Sequence, residues 1–173
     1  SAASDVYKRQ IKALLRSTSD LEIDNEHLMV ISPDEGAMNR TMYFSSVLGV
    51  DIGMFYKRRD YSVVVDGRNP IVAHEFLGAS VEGKDVMIID DMISSGESML
   101  DVARELKRRK ARRVFCISTF GMFTNGLESF DKAYEEGLIY KVITTNCTYQ
   151  RPDLFERCLL YTSDAADDLT RVD

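Results

Sequence analysis

Residues 86–98 read VMIIDDMISSGES, and this stretch decides the fold. Its first four residues are apolar without alternation, which is typical of a central strand of a parallel sheet, buried on both faces. Asp90 and Asp91 follow, and a Ser-Ser-Gly segment leads into residues 97–110, where apolar residues recur at helical spacing. A buried strand, two acids and a helix in this order predict a βα unit with its ligand at the carboxyl end of the strand.

Strands and helices alternate on both sides of this unit. Upstream, we predict strands at 27–32, 51–56 and 73–77 and helices at 11–17 and 36–48; downstream, strands at 114–120 and 141–145 flank a helix at 127–136. The expected core-facing residues of the two longer helices are Met38, Met42, Val47 and Leu48, and Met99, Leu100, Ala103 and Leu106. The fold class is therefore α/β, a mostly parallel sheet flanked by helices.

The length of 173 residues suits one domain, which we expect to occupy residues 11–158. The two ends, residues 1–10 (SAASDVYKRQ) and 159–173 (LLYTSDAADDLTRVD), match no core pattern. They resemble translated sequencing-adapter read-through, and the alternative is that they are ordinary disordered termini. Both segments are left out of the predicted fold.

Composition and charge exclude several classes of protein. A net charge of −6 argues against a general nucleic-acid surface, and no apolar run reaches the length of about 18 residues that a membrane span needs. The three cysteines are scattered, which favours free thiols in a reducing cytoplasm over a metal site. Two histidines distant in sequence indicate neither a zinc site nor a Ser-His-Asp triad. The seven basic residues within 104–113 are expected to form a solvated helix end.

The segment after the apolar run has the chemistry of a sugar-phosphate site. Gly96 allows a tight turn, and the serine hydroxyls and free amides of the helix start can bind a phosphate. Asp90 and Asp91 suit sugar hydroxyls, either directly or through Mg²⁺. Together they indicate a ribose 5-phosphate. The alternative, a serine that only caps the helix, explains one serine but not the whole order of residues.

Two other segments carry phosphate chemistry. In residues 32–40 (SPDEGAMNR), Gly36 exposes amides that can seat a diphosphate, and Asp34 can hold Mg²⁺ or a ribose hydroxyl. The alternative is a simple Pro-Asp helix start. Residues 56–59 (YKRR) begin a polar stretch, 57–70, that we expect to be mostly a mobile loop. Its cations can stabilise phosphate oxygens during phosphoryl transfer; the alternative is a solvated basic patch.

These segments resemble one enzyme family. Residues 86–98 look like the phosphoribosyl-binding motif shared by type I phosphoribosyltransferases and ribose-phosphate diphosphokinases. Residues 32–40 are similar to the diphosphate-binding turn of the diphosphokinases, P-D-x-G-x-x-x-R, and the pair Lys57 and Arg59 matches their catalytic flexible loop. Residues 67–78 and 120–126 look like a bacterial branch of that family. The resemblance extends from about Ile11 to Arg157 and covers the second half of such an enzyme.

The resemblance implies a type I phosphoribosyltransferase-like fold, a cytoplasmic enzyme, and transfer of the diphosphoryl group of ATP to ribose 5-phosphate, giving phosphoribosyl diphosphate and AMP. It assigns catalysis to Lys57 and Arg59. It assigns diphosphate binding to Asp34, Glu35, Gly36 and Ala37, and Asp34 is also expected to be a ligand of Mg²⁺. It assigns ribose 5-phosphate to Asp90, Asp91, Ser94, Ser95, Gly96, Glu97 and Ser98. The family more commonly has D-T-x-G-T in this loop, so the shifted Gly96 and the acidic Glu97 raise the alternative of a changed sugar-phosphate preference.

The resemblance also implies a homo-oligomer when the enzyme is full length. Because the ATP-binding residues of the family lie mainly in its first half, we expect these 173 residues alone to be inactive. Two rival functions stay open. One is a type I phosphoribosyltransferase, which would release diphosphate in a base-dependent reaction without ATP. The other is a non-catalytic regulatory paralogue that assembles with a true synthase.

Overall fold

The structure, a computed structural model, describes residues 2–145 and 160–163, in which strands and helices alternate. The strands are β1 (Leu28–Ser32), β2 (Ile52–Arg59), β3 (Ile71–Leu77), β4 (Asp85–Ile93), β5 (Val114–Gly121), β6 (Lys141–Thr145) and β7 (Leu160–Ser163). The helices are α1 (Ala2–Ser17), α2 (Met38–Leu48), α3 (Glu97–Arg108) and α4 (Glu128–Glu135), and a 3-10 turn, Glu35–Ala37, precedes α2. No helix in these ranges is long and apolar enough to cross a membrane.

All the strands belong to one sheet with the order β3-β2-β1-β4-β5-β6-β7. Every neighbouring pair is parallel except β2 and β3, which form an antiparallel hairpin. The predicted fold class, a mostly parallel α/β sheet flanked by helices, is therefore confirmed. Because β1, β4 and β5 point the same way, the segments that follow them lie at one edge of the sheet, where ligands bind in such folds.

The central strand β4 is buried on both faces, as its unbroken apolar run predicts. Val86 and Ile88 pack into a layer with α3 and α4, whereas Met87 and Ile89 pack into a second layer with α1 and α2. None of the four is more than 1% exposed. Full burial of a side chain of this size stabilises a fold by about 1.5–3 kcal/mol, so β4 anchors both layers.

The two longer helices differ in how well their inward faces were predicted. All four expected residues of α3 are buried. In α2, by contrast, Met42 and Val47 are exposed, and Thr41 and Phe44 are buried instead. Thr41 tolerates burial because its hydroxyl donates a hydrogen bond of 2.8 Å to the carbonyl of Ala37. The prediction for α2 was therefore wrong at Met42 and Val47, whereas Leu48 packs against the core as expected, because the buried stripe runs through positions 41, 44 and 48 at helical spacing.

Two strands extend three residues beyond their predicted carboxyl ends, at positions 56 and 90. β2 continues to Arg59 because β3 pairs with it as far as Arg59↔Ile71, so residues 57–59 belong to a hairpin and not to a loop. β4 continues to Ile93 because β5 pairs with it along its whole length. Its ladder with β1 ends earlier, at Ile31↔Ile88. The acids that follow Ile89 therefore stand on an extended strand beyond the end of β1.

At both ends the structure differs from the expectation that residues 1–10 and 159–173 stand outside the fold. Residues 2–10 are part of α1, where Gln10 is buried and the ring of Tyr7 lies 5.3 Å from that of Tyr43. Residues 160–163 form β7, which pairs in parallel with β6. The interpretation of both ends as read-through concerns the gene and stays a prediction, and residues 146–159 and 164–173 lie outside the described ranges.

Candidate functional site

A cavity of about 120 Å³ opens at the carboxyl edge of the sheet, between the turn after β1, the β2–β3 hairpin, β4 and the first turns of α3. Four residues that the sequence assigned to a site line it: Asp34, Lys57, Asp90 and Ser98. The other lining residues are Pro33, Ile71, His74, Met99, Asp101 and Val102. Three segments predicted separately to bind phosphate or sugar thus meet at one place.

The predicted phosphate loop joins β4 to α3. Gly96 adopts a left-handed conformation (φ 89°), and the first hydrogen bond of the helix runs from the amide of Leu100 to the carbonyl of Gly96, 2.9 Å. The amides of residues 97–99 precede that bond and have no acceptor within the helix. Among the residues that the structure describes, the amide of Glu97 meets the hydroxyl of Ser95 at 3.4 Å. The geometry leaves amides and the Ser98 hydroxyl available to an anion.

The loop between β5 and α4, together with α4 itself, holds the phosphate loop in place through backbone hydrogen bonds and packing. The amides of Met122 and Thr124 donate to the carbonyls of Ile93 and Ser94, both at 2.9 Å. Phe130 of α4 packs directly under Gly96, so that a Cβ there would lie 2.1 Å from the ring. Packing against Phe130 therefore requires a glycine at position 96 of this chain. The family resemblance of residues 120–126 did not predict this supporting role, because the contacts depend on how two loops pack.

Gly96→Ala should disrupt this loop through two effects. The left-handed conformation costs an L-residue about 1–2 kcal/mol, and the clash with Phe130 adds to that. Gly49→Ala is the matched control, since Gly49 has φ 68° and nothing within 4 Å of an added Cβ. Urea unfolding of both variants should show a clearly larger loss of stability for Gly96→Ala, with loss of ribose 5-phosphate binding. Equal losses in the two variants would contradict the packing argument.

The two acids of β4 are held by an arginine from the predicted diphosphate turn. Arg40, in the first turn of α2, places Nη2 3.1 Å from Oδ2 of Asp91 and Nη1 4.0 Å from Oδ1 of Asp90. The amide of Asp91 donates to Oδ1 of Asp90 at 2.8 Å. Arg40 therefore links the segment expected to bind diphosphate with the acids expected to bind the sugar.

Asp90 is the more perturbed of these acids. Partial burial raises its pKa to about 6, and the neighbouring carboxylates of Asp91 and Asp34 act in the same direction. A carboxyl group in such surroundings is costly to ionise in the free protein and benefits from a partner that donates hydrogen bonds or carries positive charge. This is the behaviour expected of a group that binds a ligand.

Asp90→Asn should stabilise the free protein above about pH 6. The folded pKa is raised, so ionisation of Asp90 weakens the fold as pH rises from the ordinary value of 3.8 to about 6 and by a constant amount beyond it. Thermal melting should therefore give a higher Tm for the variant at about pH 7.5 and a smaller difference at about pH 5. Asp60→Asn is the control, because hydrogen bonds from Ser62 hold the pKa of Asp60 below its usual range and no gain is expected. A variant no more stable than wild type at the higher pH would refute this.

The predicted diphosphate turn is ordered by its own aspartate. Oδ1 of Asp34 accepts from the amide of Ala37 at 3.0 Å, and the Ser32 hydroxyl donates to the carbonyl of Asp34 at 2.6 Å. Glu35 and Gly36 are exposed on the turn. The second carboxylate oxygen of Asp34 and the exposed backbone are thus the parts of the turn that can meet a ligand.

The two predicted catalytic cations occupy different positions on β2. Lys57 lines the cavity, whereas Nη1 of Arg59 donates to the carbonyl of Asn69 at 3.1 Å, at the base of the connecting loop. Arg58 pairs with Glu75 across the hairpin, 3.4 Å apart. The sequence did not assign His74 a role, although it pairs with Lys57 in the ladder and lines the same cavity. That register cannot be read from sequence, because the loop between the strands is long.

Comparison with known proteins bears on the family of the chain and on its fold. The family profile described as Phosphoribosyl transferase domain matches residues 3–147. The chain is 32% identical over 118 residues to a ribose-phosphate pyrophosphokinase of Thermococcus kodakarensis, and 28% identical over 151 residues to one of Mycoplasma pneumoniae. These alignments cover 68% and 87% of the chain but 40% and 43% of the relatives, so the chain spans less than half of their length.

A solved structure shows the same fold. The phosphoribosylpyrophosphate synthetase of Mycobacterium smegmatis superposes with a TM-score of 0.69 at 21% identity, covering 93% of this chain and 47% of that one. The family match extends over most of the chain and includes the βα unit, the diphosphate turn and the β2–β3 hairpin. The chain therefore belongs to the phosphoribosyl transferase domain family.

Proposed function

We propose that this chain forms the ribose 5-phosphate half of a ribose-phosphate diphosphokinase. The observation that carries the proposal is the single cavity in which Asp34, Lys57, Asp90 and Ser98 meet. They come from three separate segments, and each has the chemistry of one part of the reaction: diphosphate binding for Asp34, charge stabilisation for Lys57, ribose binding for Asp90 and 5-phosphate binding for Ser98.

In this proposal the loop and the acids hold the acceptor. The amides and hydroxyls of residues 94–98 bind the 5-phosphate at the start of α3, where the helix dipole contributes about 0.3–1 kcal/mol. Asp90 and Asp91 accept hydrogen bonds from the ribose hydroxyls. Because Arg40 already contacts both acids, it keeps the sugar site and the diphosphate turn at a fixed separation.

The hairpin cations stabilise the transferred group. The anomeric hydroxyl oxygen of ribose 5-phosphate forms a bond to the β-phosphorus of ATP and releases its proton to solvent. The bond between that phosphorus and the bridging oxygen to the α-phosphate breaks, and AMP leaves with that oxygen. Negative charge on the phosphoryl oxygens is stabilised by Lys57, and by Arg59 once its contact with Asn69 is exchanged for the substrate.

The carboxylates that line the cavity are suitable ligands for Mg²⁺. Magnesium is usually held by one or two carboxylates, water and substrate phosphates, and Asp34 and Asp90 bring carboxylate oxygens to the same cavity. Within residues 2–145 and 160–163 no group of three or more acidic, histidine or cysteine side chains forms a complete cage, in keeping with a metal shared with substrate. When bound, the ion would neutralise charge on the phosphate oxygens.

Formation of AMP from ATP and ribose 5-phosphate tests the proposal in the full-length protein that carries this sequence. We expect AMP and phosphoribosyl diphosphate in equal amounts, and no turnover by these 173 residues alone. Base-dependent release of diphosphate without ATP would establish the phosphoribosyltransferase instead. No reaction of either kind, with activation of a separate synthase, would establish the regulatory paralogue. The full-length enzyme is further expected to be a cytoplasmic homo-oligomer.

A further inference from the structure

We propose that His74 binds the transferred diphosphate together with Lys57, as a second donor from the β2–β3 hairpin. The proposal rests on the proposed function, since it names a further contact to the same substrate. His74 belongs to β3, outside the three segments that indicated the site in the sequence. Its position follows from the antiparallel register of the hairpin.

The register places His74 on the ligand-facing side of the hairpin. Lys57 and His74 are directly opposed in the ladder, and two residues earlier on β2 the pair Phe55 and Phe76 is also opposed. Side chains two residues apart on a strand share a face. The rings of Phe55 and Phe76 lie 5.0 Å apart and pack onto the core layer of α3. The same face, continued, carries Lys57 and His74 over the first turns of α3, where both line the cavity.

The ring of His74 forms no hydrogen bond or ion pair with any described residue, whereas the two acidic side chains near it are paired. Glu75 meets Arg58 at 3.4 Å on the opposite side of the hairpin. Within the cavity, Asp101 is held by Arg104 at 2.7 Å. His74 is partly buried, so a donor there that meets no acceptor is available to a ligand.

The distribution of charge in the cavity indicates which part of the substrate His74 meets. The charged and titratable groups that line the cavity beside it are Lys57 on the hairpin and Asp34, Asp90 and Asp101 on the turn, β4 and α3. One wall is therefore basic and the facing wall acidic. Phosphate oxygens are attracted to the basic wall, and sugar hydroxyls or a cation to the acidic one. His74 stands beside Lys57 on the basic wall and so meets the diphosphate.

The chain offers a direct test because His27 and His74 are its only histidines. His27 contacts Asp24 and Glu22 in the turn before β1, at the opposite edge of the sheet, and provides an internal control. Proton NMR at constant pH would follow both imidazole signals while inorganic diphosphate is added in the presence of Mg²⁺. The His27→Gln variant assigns the two signals, and Mg²⁺ alone shows any effect of the ion. We expect diphosphate to shift the His74 signal and to leave the His27 signal unchanged.

Affinity measurements on variants complete the test. A hydrogen bond to a charged group is worth about 1.5–3 kcal/mol, so His74→Ala should weaken diphosphate binding about tenfold or more. His74→Gln, which keeps a side-chain N–H donor, should restore most of the affinity. Ribose 5-phosphate binding, measured on the same samples, should not change. If ribose 5-phosphate binds but diphosphate does not, or diphosphate binds with the His74 signal unmoved, the proposal for His74 is overturned. If ribose 5-phosphate itself fails to bind, the proposed function fails first.

Discussion

Lys57→Ala in the full-length protein is expected to lower the rate of AMP formation by about 10²–10³-fold, the effect of removing one preorganised charge-stabilising donor. Lys57 lies in the cavity with Asp34, Asp90 and Ser98, where the negative charge of the transferring group develops. Ribose 5-phosphate binding should survive, because its predicted contacts come from β4 and the start of α3. Steady-state kinetics and calorimetry with ribose 5-phosphate measure the two effects separately.

Arg58→Ala is the matched control for Lys57→Ala. Arg58 is the next residue of the same strand and carries the same charge, but its side chain pairs with Glu75 on the other face of the hairpin. Its removal should change turnover by no more than a few-fold. If turnover of Lys57→Ala also stayed within a few-fold of wild type, or if both variants lost activity equally, Lys57 would have no specific role in catalysis.

Asp85→Ala should lower the free energy of unfolding by about 3–5 kcal/mol, the usual loss when one partner of a buried ion pair is removed. Asp85 is 2% exposed and forms a two-pronged contact with Arg113, with distances of 3.0 Å and 2.7 Å. The same guanidinium stacks on the rings of Phe115 and Tyr140. Removing the carboxylate leaves the guanidinium of Arg113, which lies just before β5 and is 11% exposed, without its buried partner. A loss of this size is a large part of the total stability of a typical domain, about 5–15 kcal/mol.

Two variants show whether that loss comes from the buried charge of Arg113. Asp20→Ala removes a second contact to Arg113, at 3.1 Å, but Asp20 is exposed, so the loss should be much smaller. The double variant Asp85→Leu with Arg113→Met replaces the pair by apolar side chains and should recover most of the stability. Urea unfolding measures all three. A double variant as unstable as Asp85→Ala would show that the charge is not the cause.

Some parts of the fold follow from local sequence. The apolar run of β4 predicted a strand buried on both faces, and the spacing of Met99, Leu100, Ala103 and Leu106 predicted the inward face of α3; both are confirmed. In these segments hydrophobic pattern and secondary structure agree. In α2 two apolar residues, Met42 and Val47, are exposed, because the buried stripe runs through Phe44 and through Thr41, whose hydroxyl is hydrogen-bonded within the helix.

The parts that could not be predicted depend on contacts between distant segments. The length of β2 and the pairing of Lys57 with His74 follow from a hairpin register that contains a bulge between Arg58 and Arg59. The position of Gly96 follows from Phe130, which is remote in sequence and reaches the loop only through the packing of α4. The sequence could identify the chemical groups of the site one segment at a time, whereas their arrangement around one cavity required the fold.

The most direct measurement of the central claim is calorimetric titration of this chain with ribose 5-phosphate, ribose and inorganic phosphate. We expect saturable binding of ribose 5-phosphate, much weaker binding of ribose or phosphate alone, and loss of binding in Gly96→Ala but not in Gly49→Ala. Folded protein that does not bind ribose 5-phosphate, or that binds ribose equally well, would contradict the claim that the loop after β4 is a ribose 5-phosphate site.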